Sequence, residues 1–163
     1  MTRQPELPRF SAPRYKRPTM TVDAAKGILD LTEDDVRALV DTGALVAWSI
    51  STPGAERPEL RILTASVAEF LRDNTDGSPD FASTIQPATA IAALVPKHDK
   101  PFLTGPEVKR TLNCGRQHLT NLVDANALAQ LPGTQYRRGP KGWPVISRDS
   151  FIAFLRTRMI GAM

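Results

Sequence analysis

The sequence predicts a mainly α fold with small β wings, built from one small module that is used twice. Five of the seven residues in 39–45 recur 83 positions later in 122–128, and the pattern of 66–71 recurs at an offset of 84 in 150–155. A repeat of about half the chain favours two small units. Units of roughly 55 to 60 residues bury only about 60% of the surface of the unfolded chain, so we expect them to pack on each other or on a partner.

The two units carry opposite charge. Residues 20–73 contain 5 Lys and Arg against 10 Asp and Glu, a net charge of −5, whereas residues 102–158 contain 9 against 3, a net charge of +6. A basic unit favours a polyanionic partner. Residues 1–19 add five cations against one carboxylate, and four prolines there predict a flexible basic arm. The arm is either a solvated tail or a phosphate contact through its last three cations, Arg14, Lys16 and Arg17.

The first unit is expected to follow the order helix, turn, helix, loop, helix. Thr21 is predicted to cap the first helix and Thr32 the second, which begins with three carboxylates, 33–35, at the positive end of the helix dipole. Proline and glycine in 53–58 predict a loop, and Thr64 opens the last helix.

Residues 74–101 are expected to form a linker between the units. Its first part, 74–79, has the composition of a flexible segment, whereas 88–95 is apolar enough for a short helix packed within the chain or against another subunit. His98 and Asp99, near the end of the linker, are expected to be solvated.

The second unit has stronger local signals. Residues 104–107 fit a capping box that starts a helix ending near Asn113, and apolar residues at i, i+3 and i+4 predict another helix from Gly115. Two short helices joined by a tight turn make a helix-turn-helix. Glycines and prolines in 128–146 predict a strand, a flexible loop and a returning strand, after which Ser147 caps a last helix.

Segments of the second unit resemble the winged helix-turn-helix of the MerR and excisionase superfamily: 114–123, 127–128, 137–138, 143–146 and 151–155. The first unit resembles it with gaps. The resemblance implies two tandem winged helix-turn-helix domains, each with a recognition helix for the major groove and a hairpin wing for the flanking backbone. The chain differs from the family in its duplication and in lacking a long C-terminal dimerisation helix.

The second helix of this unit carries the candidate base contacts. Its apolar residues face the core, so the helical period places Gln117 and Asn121 on the opposite face, with Thr120 beside them and Arg116 in the first turn. Gln and Asn can pair with adenine, and Arg with guanine or a phosphate. The alternative is the ordinary polar face of a surface helix. The full candidate set is Arg116, Gln117, His118, Thr120 and Asn121, with the loop cations Arg137, Arg138 and Lys141.

At the start of its second helix, the first unit has carboxylates at the positions where the second unit has candidate DNA contacts. Glu33, Asp34 and Asp35 would face phosphates, so this unit is expected to support assembly into a homodimer rather than to read DNA. Deleting residues 1–80 is then expected to lower cooperativity while leaving the half-site preference intact.

Other chemistry is not indicated. Cys114 and His118 are spaced like two metal ligands or a thiol and its base, but Cys114 takes the position of the apolar Leu31 and no second pair completes a zinc site. We therefore expect no catalytic residue, no metal and no cofactor. No apolar run reaches the roughly 18 residues of a membrane helix, and the N-terminus lacks a secretory signal. A single cysteine excludes an internal disulfide, which favours the cytoplasm.

The sequence thus predicts a cytoplasmic, non-enzymatic protein that binds double-stranded DNA through its second unit and assembles through its first. Control of transcription is the use that this pattern favours. One alternative is an excisionase-like or architectural DNA-binding factor of a phage or mobile element. An alternative of another class is a protein-interaction adaptor that does not bind DNA.

Overall fold

The computed structural model describes residues 17–52, 55–133 and 142–160. Within these ranges the chain is mainly α-helical with small antiparallel sheets. The elements in chain order are β1 (Thr19–Thr21), α1 (Val22–Leu29), α2 (Glu33–Asp41), β2 (Ala47–Ser49), β3 (Leu60–Leu63), α3 (Thr64–Asp73), α4 (Pro87–Leu94), β4 (Phe102–Thr104), α5 (Gly105–Leu112), α6 (Arg116–Asp124), β5 (Val145–Ser147), α7 (Arg148–Arg158) and β6 (Met159–Ile160).

The same order of elements occurs twice, in a first module (19–73) and a second module (102–158). In each module a short strand precedes two helices and pairs antiparallel with the strand that leads into the last helix, β1 with β3 and β4 with β5. In the first module β2 also pairs with β3. At the corresponding place in the second module, Gln130 forms an isolated bridge to Ile146. The internal repeat of the sequence is therefore a repeat of topology.

Equivalent residues begin and end the first helix of each module. The side chains of Thr21 and Thr104, 83 positions apart, each accept a hydrogen bond from the backbone N–H three residues later. Glu107 completes the predicted capping box by accepting from the backbone N–H of Thr104. Asp30 and Asn113, also 83 apart, end these helices in the left-handed region, with φ of 53° and 49°. Asp and Asn are the non-glycine residues that tolerate this conformation best, so the turn that follows is encoded locally.

The remaining helix starts also agree with the sequence. Thr32 caps α2, α6 follows Gly115, and the side chain of Ser147 accepts from the N–H of Ser150 at the start of α7. The strands β1, β4 and β6 were not predicted. They have two or three residues each, which is too short for an alternating apolar pattern to be recognised.

The two modules share one hydrophobic core. Val46 and Trp48 of the first module lie in the same buried cluster as Leu103 and Leu122 of the second. Trp48 is completely buried, and its indole N–H donates to the backbone oxygen of Leu155 at 3.0 Å. The strand β6, directly after α7, pairs with β2 and extends the first module's sheet to the order β1-β3-β2-β6. The expectation that the two copies pack on each other is thereby confirmed.

The helix expected at 88–95 is α4, and it packs within the chain. Ala90 and Leu94 are buried in the shared core, where α4 contacts α7. In the described ranges, no helix combines the length and the apolar character needed to cross a membrane.

Candidate nucleic-acid interface

The helix α6 has a polar face opposite its buried residues. Leu119 and Leu122 are fully buried, whereas Arg116, Gln117 and Asn121 are exposed. Gln117 Nε2 donates to Asn121 Oδ1 at 2.9 Å, so the two amide groups lie side by side, one turn apart. This bond leaves Gln117 Oε1 as an acceptor and Asn121 Nδ2 as a donor for another molecule. An acceptor next to a donor matches the edge of a base pair in the major groove.

Thr120 lies on the flank of this face and is half-buried. Its hydroxyl donates to the backbone oxygen of Arg116 at 3.1 Å, four residues earlier in the same helix. The hydroxyl proton is thus used inside the helix, and what Thr120 can offer a ligand is its methyl group and its oxygen lone pairs.

Trp143 holds the cation at the start of α6. The guanidinium carbon of Arg116 lies 4.7 Å from the ring centroid, and Lys109 Nζ of α5 lies 5.9 Å from it. The ring packs against Gly105, the first residue of α5, where an added Cβ would come within 2.6 Å of the indole. Such cation–π contacts are worth about 0.5 to 2 kcal/mol and restrict the cation's side chain. Trp143 therefore joins both helices of the module, a role that the sequence analysis missed.

His118 does not lie with the exposed polar residues of α6. Its Nε2 is bonded to the backbone oxygen of Ile50 at 2.5 Å, and its Nδ1 lies 3.6 Å from Glu59 Oε2. Position 118 lies next to the buried Leu119, on the flank that faces the first module, which explains why the ring points there. His118 thus forms a contact between the modules, and its contact with DNA stays a prediction.

Of the cations predicted in the arm and the loop, the structure describes one. Arg17 is described, and its guanidinium donates to Asn113 Oδ1 at the turn between α5 and α6. The other arm and loop cations lie outside the described residues: Arg14, Lys16, Arg137, Arg138 and Lys141.

In the first module, carboxylates at the corresponding start of α2 pair with a cation of that module's own loop. Arg57, in the loop between β2 and β3, lies 3.3 Å from a carboxylate oxygen of Glu33 and 3.1 Å from one of Asp34. Arg37 also pairs with Glu33 at 3.3 Å and donates to the backbone oxygen of Pro58. Exposed pairs of this kind add little stability, but they offset part of the carboxylate charge at the helix start.

Cys114 is a packing residue in the turn. It is 8% exposed, and burial raises the pKa of its thiol above the ordinary value. A neutral, buried thiol is a poor nucleophile and a poor metal ligand. Among the described residues, no group of three His, Cys, Asp or Glu side chains could hold a metal ion.

His98 has partners that the sequence analysis did not anticipate. Its Nε2 lies 2.9 Å from Glu107 Oε2, and its Nδ1 lies 3.1 Å from a guanidinium nitrogen of Arg148. Partial burial acts to raise the pKa of Glu107, but hydrogen bonds from the Thr104 backbone and from His98 outweigh it and lower the pKa overall. The expectation of a solvated His98 is wrong, because the end of the linker packs against the start of α5.

No protein-family model, curated protein or solved structure matches this chain. The resemblance to the MerR and excisionase superfamily therefore stays a prediction from the motifs.

Proposed function

We propose that this chain is a sequence-specific, double-stranded DNA-binding protein that acts as a transcriptional regulator. In this proposal both modules are winged helix-turn-helix domains, with α6 as the recognition helix of the second. The observation that carries it is the exposed face of Arg116, Gln117 and Asn121 on a module of net charge +6. The two amides supply hydrogen-bonding groups for base edges, and the positive module attracts the phosphate backbone.

The Trp143 contact supports this assignment of roles. A recognition helix needs its base-contacting residues held in one orientation, because disordered side chains lose conformational entropy on binding. Stacking on Trp143 restricts Arg116, and the mutual hydrogen bond restricts Gln117 and Asn121. The face is therefore largely organised before DNA arrives.

The first module is proposed to have another role. It carries a net charge of −5, and carboxylates that pair with Arg57 stand at the start of α2, where a DNA backbone would have to approach. We propose that this module does not read DNA. We keep assembly into a homodimer as part of the proposal, because one short recognition helix reads only a half-site and a two-fold dimer supplies two.

A selection from a random duplex library tests the proposal. Retained duplexes should share a short motif, and the logarithm of the affinity should fall linearly with the logarithm of the salt concentration. A protein that retains no duplex even at low salt would contradict the proposal and leave the protein-interaction adaptor as the alternative.

A further inference from the structure

The turn between α5 and α6 is held from outside by the first module. Arg61 Nε donates to the backbone oxygen of Asn113 at 2.9 Å, and Arg17 donates to the side-chain oxygen of the same residue. Thr19 Oγ1 donates to the backbone oxygen of Thr111 at 2.7 Å. Two side chains of the first module, and Arg17 just before it, thus contact the last turn of α5 and the first residue after that helix.

Arg61 is the most constrained of these side chains. It is only 6% exposed, and its Nε is bonded to Asn113 O. Its two terminal nitrogens donate to the backbone oxygen of Leu60 at 2.9 Å and to Glu59 Oε1 at 2.8 Å. Burial of a guanidinium is costly unless its donors are satisfied, so this arrangement fixes the side chain in one place.

Among the described residues, this support of the turn runs from the first module to the second. In the first module the equivalent turn residue, Asp30, has the same left-handed conformation but is exposed to solvent. The second module has Val145 at the position that corresponds to Arg61 at an offset of 84. The first module therefore supports the turn of the second, and the second does not return the same contact.

We propose that the first module is a clamp that sets the position of the recognition helix α6, with Arg61 as the positioning residue. The backbone of Asn113 decides the direction in which the chain leaves α5 and therefore how α6 is presented. The effect of this support on DNA binding rests on the proposed function. Its effect on the rigidity of the turn does not. A loosened turn must be ordered when DNA binds, and this cost falls on specific binding, which requires one exact orientation.

The mechanical test is amide hydrogen exchange in Arg61→Met, which keeps the apolar stem and removes the guanidinium. The probes are the N–H groups of Cys114, bonded to Lys109 O, and Leu119, bonded to Gly115 O. Their counterparts in the first module, the N–H groups of Leu31 and Val36, are internal controls. We expect exchange at Cys114 and Leu119 to accelerate about tenfold, the factor for loss of one charge-assisted hydrogen bond, with Leu31 and Val36 unchanged.

Arg158→Met is the matched control variant. Arg158 also donates across the modules to a backbone oxygen, that of Ser51 at 3.0 Å, but it does not contact the turn. This variant should leave the exchange of Cys114 and Leu119 as in the wild type. Equal acceleration of all four amides in Arg61→Met, or acceleration of none, would overturn the clamp. The clamp would also be overturned if Arg158→Met accelerated exchange at Cys114 and Leu119 as much as Arg61→Met does.

Binding measurements separate this proposal from the proposed function. On a selected duplex, Arg61→Met should bind about tenfold more weakly than the wild type, with binding to random duplex unchanged. If the wild type binds no duplex, the proposed function fails, and the exchange data alone decide whether the clamp exists. If DNA binds but Arg61→Met leaves the preference intact despite faster exchange, Arg61 does not position the helix for reading.

Discussion

Glu33 and Arg116 occupy the same position in the two modules, 83 residues apart, and each is held by its own module's loop. Arg57 lies 3.3 Å from Glu33, whereas Arg116 lies 4.7 Å from the ring centre of Trp143. The same position therefore carries opposite charges in the two modules. In the first module the contact is an ion pair with a carboxylate, and in the second it is a cation–π contact that holds a guanidinium.

Gly105 is the position where the packing of Trp143 is most sensitive. A Cβ there would lie 2.6 Å from the indole, so Gly105→Ala should displace the ring and destabilise the fold by about 1 to 3 kcal/mol. Gly27→Ala is the control, because a Cβ at that position in α1 meets nothing within 4 Å. This control should stabilise by about 0.5 to 1 kcal/mol, the ordinary helix preference for alanine. Urea unfolding measures both changes, and a stabilising Gly105→Ala would refute the tight contact.

The shared core changes the expected result of deleting residues 1–80. The sequence led to the expectation that the second module would keep its half-site preference alone. In the structure, Trp48 and Ile50 of the first module belong to the core that surrounds Leu122. The fragment 81–163 should therefore lack a cooperative thermal transition by circular dichroism, because its core is opened. A sharp transition with retained DNA preference would show that the modules are independent.

Stability should fall in acid through Glu107. Its pKa is below the ordinary value because Thr104 and His98 bond its carboxylate, despite partial burial. A carboxyl group whose pKa is lowered on folding stabilises the native state above its unfolded pKa, near 4.3 for glutamate, and this stabilisation is lost as the pH falls through the folded value. Glu107→Gln should remove about 1 kcal/mol at neutral pH and less at pH 3.

The control for this pH dependence is Asp73→Asn. The pKa of Asp73 is lowered by its hydrogen bond from Arg72, but the pair is exposed and should contribute nothing measurable. Chemical unfolding between pH 3 and 7 compares the two variants. If the free energy of unfolding of Glu107→Gln changed with pH in parallel with that of the wild type, the capping box would not be the source of the acid sensitivity.

The loop cations are predicted to bind DNA without regard to sequence. Arg137→Ala or Arg138→Ala should weaken binding to every duplex and flatten the logarithmic salt slope by about 0.9 for each lost phosphate contact. Titrations at several salt concentrations measure the slope. A slope equal to that of the wild type would show that these side chains do not touch phosphates.

Local signals allowed the helices to be predicted, and long-range contacts were not accessible to the same reasoning. The caps at Thr104 and Ser147 depend on residues three positions away, so the sequence shows them directly. The bond from Trp48 to Leu155 spans 107 residues, and the bond from Arg61 to Asn113 spans 52, so neither leaves a local pattern. The bond from His118 to Ile50 spans 68 residues, and no local pattern could indicate it either.

The central claim, that α6 reads base pairs, is tested most directly by comparing affinities for a selected duplex and a random duplex. Fluorescence anisotropy would be measured for the wild type, Gln117→Ala and Asn121→Ala, with Asp34→Ala as the first-module counterpart of Gln117. We predict that each α6 substitution weakens binding to the selected duplex by about 1 to 3 kcal/mol and leaves random duplex unchanged, while Asp34→Ala alters neither. Equal losses on both duplexes, or no loss on either, would contradict base reading by this helix.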